Sequence, residues 1–153
     1  MTNLADFAGM SGLETLRAMV AGKFPPPSIA ETLNFRLVEV DEGRVVFEGE
    51  PSDRILNPLG MVHGGWALTL IDSACGAAGH TMLPPGAGYG TLETKVNFVR
   101  PIAPDTGLVR AEGRVLTSGR TIITAEGKVT DAKGKLLAHG TSTCMIQRPE
   151  KSA

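Results

Sequence analysis

The sequence lacks the features that mark several large classes of protein. Across 153 residues, 15 Lys and Arg stand against 16 Asp and Glu, and this formal charge of -1 gives no reason to expect nucleic acid or an anionic membrane as a partner. There are two cysteines, Cys75 and Cys144, and no C-x-x-C pair, which argues against a zinc site and fits a reducing compartment. Aromatic residues make up 5% of the chain, so stacking need not dominate ligand binding.

The chain also lacks a recognisable segment for export or for crossing a membrane. Residues 1–15 have neither the basic stretch nor the unbroken apolar run of a signal peptide. The longest uncharged run, 73–92, contains Pro84 and Pro85 and cannot form a spanning helix. We therefore expect a cytoplasmic protein, and a single domain, since a chain of this length rarely holds two.

Hydrophobic periodicity predicts an α+β fold. Helical spacing indicates a short amphipathic helix over 11–22 and a long helix over 63–80, ended by Pro84 and Pro85. Alternating patterns predict a hairpin over 35–50, followed after the long helix by four strands at 91–100, 108–117, 121–130 and 135–146. This order has no βα repeat, so an antiparallel sheet wrapped around one helix is the simplest architecture.

The predicted long helix carries one acid, Asp72. The helix has no Lys, Arg or Glu on any face, so the rest of the protein must cover it nearly all round. On a helical wheel the acid shares its stripe with small residues, Gly65, Thr69, Gly76 and Gly79, and should face a groove with almost no side chains in it. A buried carboxylate must be paired, hydrogen-bonded or shifted in pKa. Two interpretations stay open: a structural acid held by backbone amides, or the acid of an active site.

The step His63-Gly64-Gly65 opens this helix. Its glycines leave backbone N–H groups uncovered at the positive end of the helix dipole, which suits a carbonyl oxygen, although a tight turn is the plain alternative. Asp72 follows Gly64 by eight residues, about 12 Å along a helix, so one chain cannot bring both to one reacting atom. A second, antiparallel helix could, and this predicts a dimer in which one subunit gives the amide and the other the acid.

The pair His63 and Asp72 also raises the question of a nucleophilic triad. No G-x-S-x-G elbow is present to supply a serine. We therefore interpret His63 as a residue that shapes the start of the helix, with a proton-transfer role as the open alternative.

The turn at 117–121 is a second candidate site. Gly119 allows backbone N–H groups to approach an anion, and Arg120 adds a planar, permanently charged group suited to phosphate oxygens. Arg100 is expected to join this turn from the end of the neighbouring strand. The alternative is a plain hairpin turn with a solvated arginine.

Four motifs together resemble the hotdog-fold acyl-CoA thioesterases of the PaaI-like, phenylacetate-pathway branch. They are NPLGMVHGG-x(6)-D, TLETKVNFVRP, SGRT and AHGTSTC, and the resemblance covers 35–146. It implies a long central helix wrapped by a curved antiparallel sheet, subunits that pair by joining their sheets, and a homodimer or homotetramer. It divides the chain into an N-terminal helical extension (1–34), a hotdog domain (35–147) and a flexible C-terminal tail (148–153).

The resemblance implies roles for five residues at the reacting carbonyl. Gly64, through its N–H, and Asn57 would hold and polarise the thioester carbonyl. Asp72 of the partner subunit would activate water or attack the carbonyl itself. Thr91 would position that water, although β propensity alone also explains a threonine there. His63 adjoins the carbonyl site.

The resemblance also implies a substrate and its contacts. Residues similar to those that contact CoA in such proteins lie at the 117–121 turn and near it: Ser118, Gly119, Arg120, Arg100 and Phe98. The expected activity is hydrolysis of an aryl- or medium-chain acyl-CoA to the free acid and CoA, with no metal and no redox cofactor. Two alternatives stay open, a hotdog dehydratase that uses His63 and Asp72 on a hydroxyacyl thioester, and a non-catalytic acyl-CoA sensor.

Overall fold

A long helix lies across one antiparallel sheet in the computed structural model, which describes residues 9–148. The elements are α1 (Gly12–Val20), α2 (Ser28–Thr32), β1 (Phe35–Asp41), β2 (Arg44–Gly49), a 3-10 turn (Asp53–Ile55), α3 (Gly64–His80), β3 (Gly88–Phe98), β4 (Val109–Ser118), β5 (Ile122–Asp131) and β6 (Leu136–Gln147). The strand order is β1-β2-β4-β5-β6-β3. Every neighbouring pair is antiparallel, so the predicted α+β architecture is confirmed. The expected C-terminal tail lies outside the described residues from 149 onward.

Local sequence signals set the ends of several elements. Ser11 caps α1 and forms a capping box with Glu14. Gly43 closes the hairpin between β1 and β2 at a φ of 72°, a conformation that favours glycine. The periodicity does not predict α2, because the prolines at 25–27 indicate a break. Pro27 instead stands at the N-cap of α2, where a missing N–H costs the helix nothing.

A row of three glycines on neighbouring strands allows α3 to pack close to the sheet. Gly113, Gly127 and Gly140 are paired in register across β4, β5 and β6. A Cβ added to Gly113 would collide with the backbone of Ala74, and one added to Gly127 would lie 3.0 Å from Sγ of Cys75. The helix therefore packs directly onto strand backbone, which is possible only where side chains are absent.

Protein covers α3 on nearly every side, as its composition predicts. Ten of its 17 residues are buried, and within this fully described helix only Leu68 is exposed. Next to Leu68, the surface of α3 carries a stripe of half-buried residues: Gly65, Thr69, Asp72 and Ser73. Among residues 9–148, no helix is long and apolar enough to span a membrane.

The groove expected along the glycine stripe is filled over its C-terminal half. A Cβ on Gly76 would lie 2.6 Å from the hydroxyl oxygen of Tyr89, and one on Gly79 would lie 3.2 Å from Ile123. The expectation of a groove with almost no side chains is therefore wrong for this half, because strand side chains occupy the space that the glycines leave. The open part of the stripe ends near Asp72.

Candidate active site

Asp72 is half-buried in the middle of α3 and faces strand β3. Its Oδ1 accepts a hydrogen bond of 2.9 Å from the hydroxyl of Thr94. The Thr94 hydroxyl lies 3.0 Å from that of Ser142, which is 1% exposed and donates to the carbonyl of Glu93. In the described part of the chain no backbone N–H donates to the Asp72 carboxylate. Side-chain hydroxyls on two strands orient the acid, so the interpretation as an acid held by backbone amides is wrong.

A β-bulge decides which threonine meets this acid. The register of β3 against β6 shifts between Thr91 and Glu93, so Leu92 has no partner. Without the bulge, strict alternation after Thr91 would turn Glu93 toward the helix. With it, Thr94 faces the helix, and Glu93 accepts a hydrogen bond of 2.7 Å from Thr143. The extra residue therefore places the hydroxyl of Thr94 beside Asp72, where regular alternation would place the carboxylate of Glu93.

Thr91, the residue expected to position water, does not contact Asp72 within the chain. It is exposed, and its hydroxyl lies 4.0 Å from Sγ of Cys144. Thr94 belongs to the motif TLETKVNFVRP, but its role at the acid is not predicted from the sequence. Alternation along the strand points to Thr91 and not to Thr94, and nothing in the composition of the strand marks the bulge between them.

His63 caps the N-terminus of α3. Its Nδ1 accepts a hydrogen bond of 2.9 Å from the N–H of Gly65, which agrees with its interpretation as a residue that shapes the start of the helix. In the neutral ring this acceptor role places the proton on Nε2. Between residues 9 and 148, the N–H of Gly64 has no acceptor, and it lies at the positive end of the helix dipole.

Two further side chains surround Gly64. A Cβ added to this glycine would lie 3.0 Å from the ring of Phe98, which is 58% exposed. Asn57 lies in the loop before the helix, and its Oδ1 accepts from the N–H of Leu59 at 2.9 Å and that of Met61 at 3.2 Å. These bonds hold the Asn57 side chain and use only its acceptor, so its Nδ2 is left as a donor.

The turn between β4 and β5 is open to solvent. Ser118, Gly119 and Arg120 are exposed, and the N–H of Gly119 donates to the carbonyl of Ile122 at 2.8 Å. Within residues 9–148 the Arg120 guanidinium has no ion pair.

Arg100 lies elsewhere. It follows β3 and donates to the carbonyl of Leu136 at 2.7 Å, beside the turn between β5 and β6. The two arginines therefore lie at opposite ends of the sheet. The expectation that Arg100 joins Arg120 is wrong within one chain, because the antiparallel register places the end of β3 beside the start of β6.

Neither cysteine is an activated thiol. Burial raises the pKa of Cys75 to about 12, and burial also raises the pKa of Cys144. A thiol that is protonated at neutral pH is a poor nucleophile. Among the described residues, no group of three or more His, Cys, Asp and Glu side chains is placed to hold a metal ion. The acid and the uncovered amide are the groups suited to chemistry on a carbonyl.

The family model of the thioesterase superfamily matches residues 59–138, more than half of the chain. The chain belongs to the thioesterase superfamily. The matched range contains the step His63-Gly64-Gly65, the acid Asp72 with its partner Thr94, and the turn at Arg120.

Relatives of this superfamily member agree with its fold and chemistry. The 1,4-dihydroxy-2-naphthoyl-CoA hydrolase of Listeria monocytogenes is 26% identical over 80% of this chain and 98% of its own. The structure of a phenylacetic acid degradation-related protein of Ralstonia eutropha is 32% identical, with a TM-score of 0.77 over 85% of this chain and 98% of that one. A Streptococcus mutans protein bound to acetyl CoA is 28% identical, with a TM-score of 0.68 over 77% and 92%.

These comparisons confirm the resemblance to PaaI-like hotdog thioesterases. This thioesterase has the hotdog fold, and it is a thioester hydrolase.

Proposed function

We propose that this thioesterase hydrolyses an acyl-CoA to the free acid and CoA at a site shared by two subunits. The observation that carries the proposal is the placement of Asp72. The acid is oriented by Thr94 and stands on the one stripe of α3 that the chain leaves partly open. The acetyl CoA bound to the Streptococcus mutans relative supports CoA thioesters as the substrate class.

The edge strand β3 supports the assembly. β3 ends the described sheet and pairs there with β6 alone, and it exposes apolar side chains, with Leu92 at 56% and Phe98 at 58%. The outer edge of β3 leaves backbone N–H and C=O groups unpaired within the described sheet, and such an edge can pair with a strand of a second chain. Pairing of two β3 strands would place the α3 helices side by side in opposite directions, which brings Gly64 toward Asp72 of the partner subunit. A homodimer, or a homotetramer built from two dimers, is the proposed active unit.

The proposed hydrolysis uses an oxyanion site and a base. The N–H of Gly64 and the Nδ2 of Asn57 donate to the thioester oxygen. Asp72 of the partner subunit takes a proton from water, the water oxygen attacks the carbonyl carbon, and the C–S bond breaks as CoA leaves and is protonated. If Asp72 of the partner subunit attacks instead, an acyl anhydride forms and water then cleaves it. Both routes need only substrate and water.

The other predicted residues take places around this centre. Thr91 is exposed and can position the water, while His63 accepts from the N–H of Gly65 and takes no part in the proton transfer. Phe98, whose ring lies next to the Cα of Gly64, is proposed to contact the substrate beside the carbonyl. Ser118, Gly119 and Arg120 are proposed to bind the phosphates of CoA, because their turn is exposed and its arginine is free of ion pairs within the described residues. Arg100 lies at the opposite end of the sheet from Arg120. It can contact the substrate only if the assembly places that end of a sheet beside the bound CoA.

One panel of substrates tests the proposal. The protein is incubated with acyl-CoAs that carry short, medium and aryl acyl groups, and thiol release is recorded. Hydrolysis of at least one acyl-CoA by the parent is expected, together with its loss in Asp72→Ala. A β-hydroxyacyl-CoA in the same panel distinguishes a dehydratase from a thioesterase. Dehydration gives an enoyl product, which is detected by absorbance, and releases no thiol. Binding without turnover of any thioester would indicate a sensor.

A further inference from the structure

An apolar cavity lies between the N-terminal segment (16–30) and the hotdog domain. Its volume is about 450 Å³, within the roughly 300 to 1,000 Å³ of small-molecule sites. Its walls come from α1, α2, the loop between them, the β1–β2 hairpin and α3, and most are aliphatic, aromatic or proline side chains. One charged residue, Arg36, lines it, and this side chain is already paired with Glu48 at 2.9 Å. The cavity therefore suits an uncharged, hydrophobic group.

One end of this cavity reaches the part of α3 that carries the candidate acid, although Asp72 itself does not line it. Ser73, Ala77 and Tyr89 line it, and Ser73 directly follows Asp72 in α3. The Tyr89 side chain packs on Gly76, one helical turn beyond the acid. Burial raises the pKa of Tyr89 to about 12, and the charge of Asp72 contributes to the increase. The phenol is therefore neutral at neutral pH where it lines the cavity against α3.

We propose that this cavity holds the acyl group of the substrate and that the N-terminal segment sets the longest acyl group accepted. The inference rests on the proposed function and adds the substrate class, a linear aliphatic or aryl acyl group without charge. The segment lies outside the range 59–138 that the family model matches. The inference also assigns the acyl pocket and Asp72 to one chain, and the carbonyl donor Gly64 to the partner subunit.

Binding of S-alkyl-CoA thioethers, which cannot be hydrolysed, measures the pocket directly. In the parent, affinity should rise roughly fourfold per methylene buried until the cavity is full. Ile29 is 49% exposed and Val20 is 44% exposed, and both line the cavity, so a tryptophan at either position can fill it without burying a misfit in the core. Ile29→Trp and Val20→Trp should each lose at least about tenfold in affinity for the longest thioether and nothing for S-ethyl-CoA. The control is Met82→Trp, because Met82 is 37% exposed but lies outside the cavity.

Thiol release from the matching acyl-CoAs separates this inference from the proposed function. A shift toward shorter acyl groups in both tryptophan variants, with binding and hydrolysis in agreement, supports the pocket. If both variants are folded by circular dichroism and keep the parent's chain-length profile, the pocket assignment is wrong even though hydrolysis stands. If thioethers bind with the expected length dependence but no thioester is hydrolysed, the proposed function is wrong and the pocket stands.

Mixed dimers, purified through two different affinity tags, test whether pocket and acid lie on one chain. In a dimer of an Ile29→Trp chain with an Asp72→Ala chain, the only acid is on the chain with the filled pocket, so the dimer should not hydrolyse the longest acyl-CoAs. In a dimer of the double variant Ile29→Trp/Asp72→Ala with the parent chain, the only acid is on the chain with the open pocket, so the dimer should hydrolyse them. The reverse result would assign the pocket to the opposite chain and overturn this part of the inference.

Discussion

The hydroxyl of Thr94 donates a hydrogen bond of 2.9 Å to Oδ1 of Asp72, from a strand position that faces the helix because of a β-bulge. This bond fixes the orientation of the acid that the proposed reaction uses. A hydrogen bond to a charged group contributes about 1.5 to 3 kcal/mol. Thr94 is thus a positioning residue for Asp72, and its effect should appear in turnover rather than in substrate binding.

Replacing Thr94 with valine keeps the shape of the side chain and removes the donor. We expect Thr94→Val to lower kcat about 10- to 100-fold with little change in KM, since a misdirected base slows the chemical step. Thr94→Ser restores the hydroxyl and should recover most of the activity. A valine variant with the kcat of the parent, or a serine variant as slow as the valine one, would show that Thr94 does not position the acid.

Removing the carboxylate should abolish most of the activity and leave the fold intact. Asp72→Ala is expected to lower kcat by at least about 100-fold, the usual scale for a positioned acid–base group. Circular dichroism provides the check on folding. Normal turnover by a folded variant would falsify the assignment of Asp72.

A single-turnover reaction in ¹⁸O-labelled water tests whether Asp72 is the nucleophile. If the acid attacks the thioester and water then cleaves the anhydride at the Asp72 carbonyl, label remains in the peptide that contains Asp72. If the acid acts as a base, or if water cleaves the anhydride at its acyl carbonyl, the label enters the released acyl product alone. Label in the Asp72 peptide, measured by mass spectrometry of the digested protein, would therefore show the nucleophilic route.

Two inactive variants should restore one active site when their subunits exchange. Gly64→Val is expected to be inactive because its side chain would displace the Phe98 ring, 3.0 Å from the position of a Cβ, and hinder the approach of the thioester to the N–H of residue 64. When it is mixed with Asp72→Ala, the mixed dimer combines an intact Gly64 amide with an intact acid across the interface. Activity should therefore return. Proven exchange, followed by mass spectrometry, without any return of activity contradicts the shared site.

Arg120 should affect recognition of the nucleotide end of CoA and not the chemical step. Arg120→Ala is expected to raise KM for a full acyl-CoA by roughly 10- to 100-fold, with kcat unchanged, since a charge-assisted bond to phosphate is lost. An acyl-pantetheine thioester has no nucleotide phosphates and should be hydrolysed equally by variant and parent. Lys133→Ala removes an exposed cation at the opposite end of the sheet and serves as the control. An equal effect of Arg120→Ala on both substrates, or on neither, contradicts the assignment.

His80 should make the protein less stable at mildly acidic pH. Burial lowers the pKa of His80 below its ordinary value of 6.5, so the unfolded chain binds a proton more readily than the folded one. The stability that this histidine contributes is present above pH 6.5 and is lost as pH falls toward its lower folded pKa. Urea denaturation at about pH 7.5 and pH 5.5 measures the loss. The loss should be smaller in His80→Gln and unchanged in His139→Gln, since His139 is exposed. Equal losses in all three proteins would contradict the prediction.

The elements of the fold, except for the short helix α2, follow from local patterns in the sequence. The long helix predicted over 63–80 is observed at Gly64–His80 with His63 as its cap, and the predicted hairpin is observed as β1 and β2. The spacing of Gly64 and Asp72 also follows from the sequence, because the helical rise sets their separation. Periodicity, caps and turn glycines act over a few residues, so each can be identified from the residues beside it.

The residues that contact Asp72 are determined by the tertiary structure. Thr94 faces Asp72 because the pairing of β3 with β6 includes one unpaired residue, Leu92, and that register is set by the packing of the whole sheet against α3. The same register separates Arg100 from Arg120, and the cavity exists only where the N-terminal segment meets the hairpin and the helix. Contacts of this kind join residues that are distant in the chain. Their energies depend on how complete elements pack together, and no local pattern of residue types encodes them.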